Sequence, residues 1–221
     1  MRYYPVNLDI RGRRCLVVGG GRVGTRKVDT LLLCGAAVTM VSPEVSPAVR
    51  QLAAEKAVIL KQRPYRSSDV EGMFLVIGAT DDETLNRQIN ADAERRNLLC
   101  NIADRPEICN FILPAIVRRG DFVMAISTAG KSPAFAKHIR RRLEAQFGTE
   151  YGALLDLMGA IRTKLLTEAH EPEVHKPLFE QLIAADLLGL IKDNKIAQID
   201  QLLAKVLGPG YQYDQLIPSN P

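Results

Sequence analysis

The stretch VVGGGRVGTRKV, Val17 to Val28, sets three consecutive glycines, and a fourth three residues later, between an apolar run and a basic helical segment. Gly19-Gly20-Gly21-Arg22-Val23-Gly24 matches the spacing G-x-G-x-x-G. Each position of that pattern has a physical job. Gly19 permits a tight turn, Gly21 lets a pyrophosphate approach the backbone, and Gly24 lets the following helix pack closely on the strand. Backbone N–H groups at the helix start, aided by the helix dipole, then hold the phosphates. Such a turn commits its neighbourhood to strand, turn and helix, and so to an α/β sheet. It marks Gly19, Gly21 and Gly24, with Arg22 and Val23 between them, as candidate cofactor contacts.

The flanking sequence repeats that rhythm. RCLVV (14–18) is a buried strand, followed by a helix with Val28, Leu31 and Leu32 on one stripe and Gly35 to end it. AVTMVS (37–42) reads as a second strand closed by Pro43, and a helix over 47–56 leads to a third strand at 58–60. MFLVIGAT (73–80) is the fourth strand, DETLNRQINADAERRN (82–97) a helix, and LLCNI (98–102) the fifth strand. Alternation of this kind argues a doubly wound parallel sheet. It then breaks. Two extended segments within 111–128 surround the turn Arg119-Gly120-Asp121, and Ser132-Pro133 opens a helix on which Phe135, Ile139 and Leu143 form a stripe expected to be buried. From Thr149 three amphipathic helices follow, and GPGYQYDQLIPSNP is expected to be an extended tail. The expected division is residues 1–110, 111–148 and 149–221.

Composition narrows the class. The 221 residues are 47% hydrophobic and 24% charged, enough for a folded core. No apolar run approaches the ~20 residues of a membrane span. The polar start MRYYPVNLDIRGR lacks a signal-peptide core, so a cytoplasmic protein is expected, off the membrane. Cys15, Cys34, Cys100 and Cys109 have no paired zinc spacing and read as buried free thiols of a reducing compartment. His138, His170 and His175 give no metal-ligand spacing either, so metal-binding residues stay unassigned. Net charge is only +4, yet Lys131, Lys137, Arg140, Arg141 and Arg142 cluster with no acid among them. Such a surface suits an anionic partner; few aromatics and no binding motif argue against nucleic acid.

Several polar residues fall at the carboxyl ends of strands, where ligands of such sheets bind. A site for NAD usually has Asp or Glu at the end of the second strand; here stand Ser42 and Pro43, with Glu44 just beyond. Ser42 and Glu44 are candidates for the ribose, and NAD is favoured over NADP because Arg50 lies far along the next segment, with Arg22 a rival contact. Thr80 and Asp81 follow the fourth strand as candidates for the nicotinamide half, Asp81 being equally a helix N-cap. Asp104 follows the fifth strand, where it either shapes the turn before Pro106 or serves a bound ligand.

Four pieces, VVGGGRVGTRK, GATDDETLN (78–86), CNIADRPEICNFILPAIVRRG (100–120) and AISTAGKSPAFAKHIRRRLE (125–144), run in an order that resembles the precorrin-2 dehydrogenases, including the bifunctional dehydrogenase/ferrochelatases of siroheme synthesis. The resemblance covers the first two-thirds of the chain, and the Ser-Thr-Ala-Gly-Lys-Ser-Pro loop is its most diagnostic part. It implies a Rossmann-like domain, a small strand-helix dimerisation module and an all-helical C-terminal region. It implies NAD-dependent oxidation of precorrin-2 to sirohydrochlorin, with Asp104 catalytic and ferrous iron a substrate if chelation follows. Ser127, Thr128, Lys131, Lys137 and Arg141 are then expected at the anionic tetrapyrrole, with Arg118 and Arg119 adding charge, and the protein is expected to be a homodimer. In some relatives a methyltransferase is fused; 221 residues are too few to hold it. The competing reading is a non-catalytic NAD-sensing module, which would keep the acidic strand end and would not need the Ala-Gly-Lys-Ser-Pro loop.

Overall fold

The computed structural model describes residues 3–168 and 172–218. The chain divides into two compact units, Met1–Leu113 and Pro114–Pro221.

The first unit alternates β1 (Arg14–Gly20), α1 (Arg22–Leu33), β2 (Ala37–Val45), α2 (Pro47–Ala54), β3 (Val58–Lys61), β4 (Leu75–Gly78), α3 (Glu83–Glu94) and β5 (Leu99–Ile102). Its five strands pair in parallel in the order β3-β2-β1-β4-β5. Successive residues of β1 point to opposite faces, and both faces are covered. Cys15 and Val17 pack with Val28, Leu31 and Met40 on one face. Leu16 and Val18 pack with Val76, Ile89 and Cys100 on the other. Burial on both sides is why these strands read as unbroken apolar runs. The chain leaves β1 toward β2 and later returns to its other side at β4, so the strand order reverses between β1 and β4. That is where an open sheet of this kind leaves a crevice.

One strand differs from expectation. β2 does not close at Pro43 but continues to Val45, its register with β1 shifting between Val18↔Val41 and Gly20↔Val45. The irregularity accommodates Pro43, whose missing N–H would break a regular central strand. Cys34 also departs from expectation: it is exposed, because it caps the C-terminal end of α1 rather than facing the sheet. Cys15 and Cys100 are buried, and burial pushes each thiol up to about 11.

The second unit opens with an antiparallel hairpin of β6 (Ala115–Arg119) and β7 (Phe122–Ile126), turning through Gly120 at φ +59°. Helices α4 (Pro133–Gln146), α5 (Glu150–Thr167), α6 (Pro172–Ala184), α7 (Leu187–Lys192), α8 (Ile196–Leu207) and α9 (Tyr213–Leu216) follow. Leu157, Ile161, Leu182, Leu187, Ile199 and Leu203 form the core of the helical part. The observed division at Leu113/Pro114 lies close to the expected boundary at 110, whereas the expected boundary at 148 falls inside the second unit. Arg119 explains why. Its guanidinium donates to the carbonyls of Phe147 (2.9 Å) and Glu144 (2.8 Å), and the rings of Phe122, Phe147 and Tyr151 lie 4.8–5.8 Å apart. Hairpin, α4 and α5 are thereby packed together.

Two further expectations change here. On α4 the inward residue is Ala136, while Phe135 is 56% exposed, so the Phe135-Ile139-Leu143 stripe is not a buried face within the chain. The expected extended tail contains α9, and Tyr211 within it is buried and donates to Glu168 at 2.6 Å. Ser219, Asn220 and Pro221 lie outside the described residues, as does His170.

The passage from β3 to β4 is pinned by one buried carboxylate. Asp69 accepts from Arg63 (2.8 and 2.6 Å), Lys61 (3.1 Å) and the Arg66 backbone N–H (2.9 Å). The Arg63 guanidinium, first among these donors, holds the carboxyl well below the usual range. A depressed folded-state pKa stabilises above the ordinary carboxylate value and loses that contribution as pH falls below about 4. Asp69→Asn is therefore expected to lower stability at pH 7 by about 1–3 kcal/mol. The gap from the unsubstituted protein should narrow between pH 5 and pH 2 in thermal melts.

Candidate dinucleotide site

At the carboxyl edge of the first sheet lies an open cleft of about 720 Å³, lined by the glycine turn, the end of β2, the loop after β4, and Pro64 and Tyr65. This volume falls within the range of cofactor pockets. Each glycine has a distinct reason to be there. Gly19 sits at φ +109°, and a Cβ on it would lie 2.2 Å from the Ala79 carbonyl oxygen. A Cβ on Gly24 would lie 1.9 Å from the Gly19 oxygen, so α1 rides directly on the turn. A Cβ on Gly20 would strike the Glu44 carbonyl at 2.4 Å. A Cβ on Gly21 would meet nothing within 4 Å, and Gly21 is the N-cap of α1 with no side chain to cap the helix. Of the four glycines it alone has open space at its Cβ position, at the end of α1 whose first N–H groups seek acceptors. The cradle fits a diphosphate.

The Ser42 hydroxyl accepts from the Gly20 N–H at 3.0 Å and donates to the Glu44 carbonyl at 2.6 Å, so it ties the glycine turn to the end of β2. Pro43 and Glu44 are exposed on the cleft wall. Asp82, not Asp81, caps α3, accepting from the Leu85 N–H at 3.1 Å, which leaves Asp81 exposed in the cleft. Arg22 and Val23 open α1 without lining the cleft, and Gly24 lies beneath it. Among the described residues Glu44, Asp81 and Asp82 line the cleft, and no Lys or Arg does.

Asp104 occupies a tight turn after β5. Arg105 N–H donates to the Ile102 carbonyl at 3.2 Å, and Asp104 itself stands at φ +59°, exposed. That left-handed conformation is uncommon outside Gly, Asn and Asp. The Cys109 sulfur braces the turn: it accepts from the Ile102 N–H at 3.1 Å and lies 3.1 Å from the Arg105 carbonyl. Lys27 of α1 is half-buried; burial and Arg26 lower its pKa, and the Asp104 carboxylate opposes the shift.

In the second unit, Thr128 Oγ1 donates to the Ser132 carbonyl (3.1 Å) and the Ser127 hydroxyl accepts from the Ala129 N–H (3.1 Å). Ala129 and Gly130 are both at positive φ. Ser132 caps α4 by accepting from Phe135 N–H at 3.2 Å. Lys131, Lys137 and Arg141 are exposed, as is His138. Arg140 is paired with Glu144, while Arg118 and Arg119 donate to backbone carbonyls, Arg118 to Gly120 at 3.0 Å. Among the described residues no group of three or more His, Cys, Asp or Glu is placed to hold a metal ion.

A family model described as NAD(P)-binding matches residues 6–115, and one described as the central region of a sirohaem biosynthesis protein matches residues 119–146. The solved structure of SirC, a precorrin-2 dehydrogenase, superposes with a TM-score of 0.76 at 28% identity, over 90% of this chain and 100% of that one. This chain belongs to the precorrin-2 dehydrogenase and siroheme synthase family. Siroheme synthase of Thioalkalivibrio sulfidiphilus is 35% identical over 95% of the chain, and that of Pseudomonas entomophila 42% identical over 80%. The chain spans less than half of those relatives, 43% and 38% respectively.

Sequence reading passed over Tyr65 and Asn86. Tyr65 has no motif around it, and its phenol is anchored on the buried Asp92 carboxylate of α3 at 2.8 Å. Asn86 was visible at the end of GATDDETLN but carried no assigned role. The glycine geometry separates folding from binding. Gly24→Ala is expected to cost about 1–3 kcal/mol of stability. Gly21→Ala should melt as the unsubstituted protein does, yet bind nicotinamide dinucleotide at least about tenfold more weakly by titration, because its methyl group occupies the phosphate approach.

Proposed function

We propose that this protein oxidises precorrin-2 to sirohydrochlorin with NAD as the acceptor. The observation that carries the reading is a single chain joining an open diphosphate cradle to a cationic helix. Gly21 leaves the start of α1 bare, while Lys131, Lys137 and Arg141 stand exposed on and before α4. The preference for NAD over NADP rests on the cleft lining, which among the described residues offers Glu44 and no cation for a 2′-phosphate.

Bound NAD supplies a two-electron acceptor. The substrate gives up a hydride to the nicotinamide and a proton to a base, forming one new double bond. Asp104 is the base in this reading, a carboxylate exposed at the carboxyl end of β5. Thr80 and Asp81 border the nicotinamide half, and Ser42, Pro43 and Glu44 the adenosine half. The exposed cations of the second unit, with Ser127 and Thr128 in the loop before α4, bind the substrate carboxylates. Ferrous iron, as a substrate, enters a second step if Asp104 also removes the pyrrole protons of sirohydrochlorin. An NAD sensor would need neither the exposed Asp104 nor the cationic helix.

The hairpin supports a homodimer. Ile116 and Val123 are exposed on the same face of a two-stranded sheet, and Phe135 on α4. A ribbon with one apolar face uncovered is marginal alone, and a second copy is the occupant proposed. Val123→Glu is expected to convert the dimer to monomer in sedimentation at micromolar concentration.

Asn accepts left-handed φ as readily as Asp, so Asp104→Asn preserves the turn and removes the base. It is expected to lower the dehydrogenation rate about 10²- to 10⁴-fold while NAD still binds. Cobalt insertion into sirohydrochlorin should fall with it if chelation shares that carboxylate. Near-normal oxidation of precorrin-2 would remove Asp104 from the mechanism.

A further inference from the structure

Behind the cleft wall, Asn86 of α3 is buried at 6% exposure with both ends of its amide on one residue. Its Nδ2 donates to the Thr80 carbonyl at 2.9 Å, and its Oδ1 accepts from the Thr80 hydroxyl at 2.9 Å. The orientation is chemically forced: a carbonyl oxygen only accepts, so the amide nitrogen must face it. Space for this amide is made by Gly78 at the end of β4, where a Cβ would stand 3.3 Å from Asn86 Oδ1. Thr80 in turn sits against the glycine turn. A Cβ on Gly19 would meet the Ala79 carbonyl at 2.2 Å and Thr80 Cγ2 at 3.2 Å. A continuous chain of contacts thus runs from α3 through Thr80 and Ala79 to the turn that cradles the phosphates.

The geometry points to Asn86 as a positioning residue for the dinucleotide: it fixes the loop after β4 in the one place that lets the glycine turn keep its open shape. This rests on the reading of the cleft as the NAD site. The role is distinct from direct contact, because Asn86 is absent from the cleft lining while Thr80 forms part of it. Thr80, with its single hydroxyl proton directed at Asn86 Oδ1 or the Asp82 carbonyl (3.2 Å), serves the site as a held strut.

The test is NAD affinity by titration with steady-state kinetics beside it. Asn86→Leu, similar in volume and lacking both bonds, is expected to raise the Kd and KM for NAD about tenfold, with kcat at saturating NAD within about twofold. Thr80→Val, which removes one of the two bonds at a less buried position, is expected to weaken binding about threefold. In the double variant the two effects should not add, since both act through one clamp. A defect of packing alone would lower kcat as well as affinity, and the two effects would add; either result overturns the assignment. So does an unaltered NAD affinity in Asn86→Leu, or in Thr80→Val where Asn86→Leu fails to fold. If the unsubstituted protein binds no NAD, the cofactor reading falls and this assignment with it; if it binds and the variants bind equally well, only this assignment falls.

Discussion

The first unit depends on a contact that no side chain makes. With 1.9 Å between a hypothetical Cβ on Gly24 and the Gly19 backbone oxygen, α1 can approach the end of β1 only because Gly24 lacks a side chain. That approach sets where the helix begins, and therefore where its unpaired N–H groups stand relative to the carboxyl edge of the sheet. The strand order then decides what else reaches them: with β1 flanked by β2 and β4, the ends of three strands surround one helix start. An ion or diphosphate placed there meets a dipole and a set of donors without needing a cation.

An edge of this kind has to be held in place, because loops after strands carry little packing of their own. Here polar side chains do it, one per loop. Ser42 links the end of β2 to Gly20, Asn86 holds Thr80 after β4, and Cys109 spans the turn that carries Asp104 after β5. The Cys109 thiol is raised by burial, which keeps its proton available to donate. Asp69 and Asp92 extend the same logic to the outer wall, where Arg63 and Tyr65 bind them. Buried polar atoms are costly when unpaired, so satisfied ones of this kind specify a single loop geometry.

These braces also mark the limit of what the sequence revealed. Parallel strands buried on both faces are legible as apolar runs, and the glycine spacing names its own turn, so the sheet and the packing roles of Gly19 and Gly24 could be read directly. A brace has no periodicity. Whether Asp81 or Asp82 caps α3 turns on one residue of phase, and Ser42 looked like a missing acid until its two hydrogen bonds were seen. The packing across the boundary expected at 148 is hidden for a related reason. Arg119 reaches Glu144 and Phe147 across 25 and 28 residues of sequence, a contact that no local pattern announces. Phe135 misled because a periodic apolar stripe does not say whether its cover comes from the same chain.

The distribution of charge has a consequence of its own. Among the described residues the cleft holds Glu44, Asp81 and Asp82 and no cation, while the exposed cations Lys131, Lys137 and Arg141 belong to the other unit. A diphosphate seated by backbone dipoles tolerates acidic walls; a ring of carboxylates does not, and is drawn instead to ammonium and guanidinium groups. In the proposed reading the two ligands are anions of different kinds, and each would meet a different source of positive potential. Had the cleft used lysines to hold the cofactor, it would have competed for the tetrapyrrole. In that reading, holding phosphate with main-chain donors would leave the cationic side chains for the substrate, and the glycines would serve selectivity between ligands as well as the turn they form.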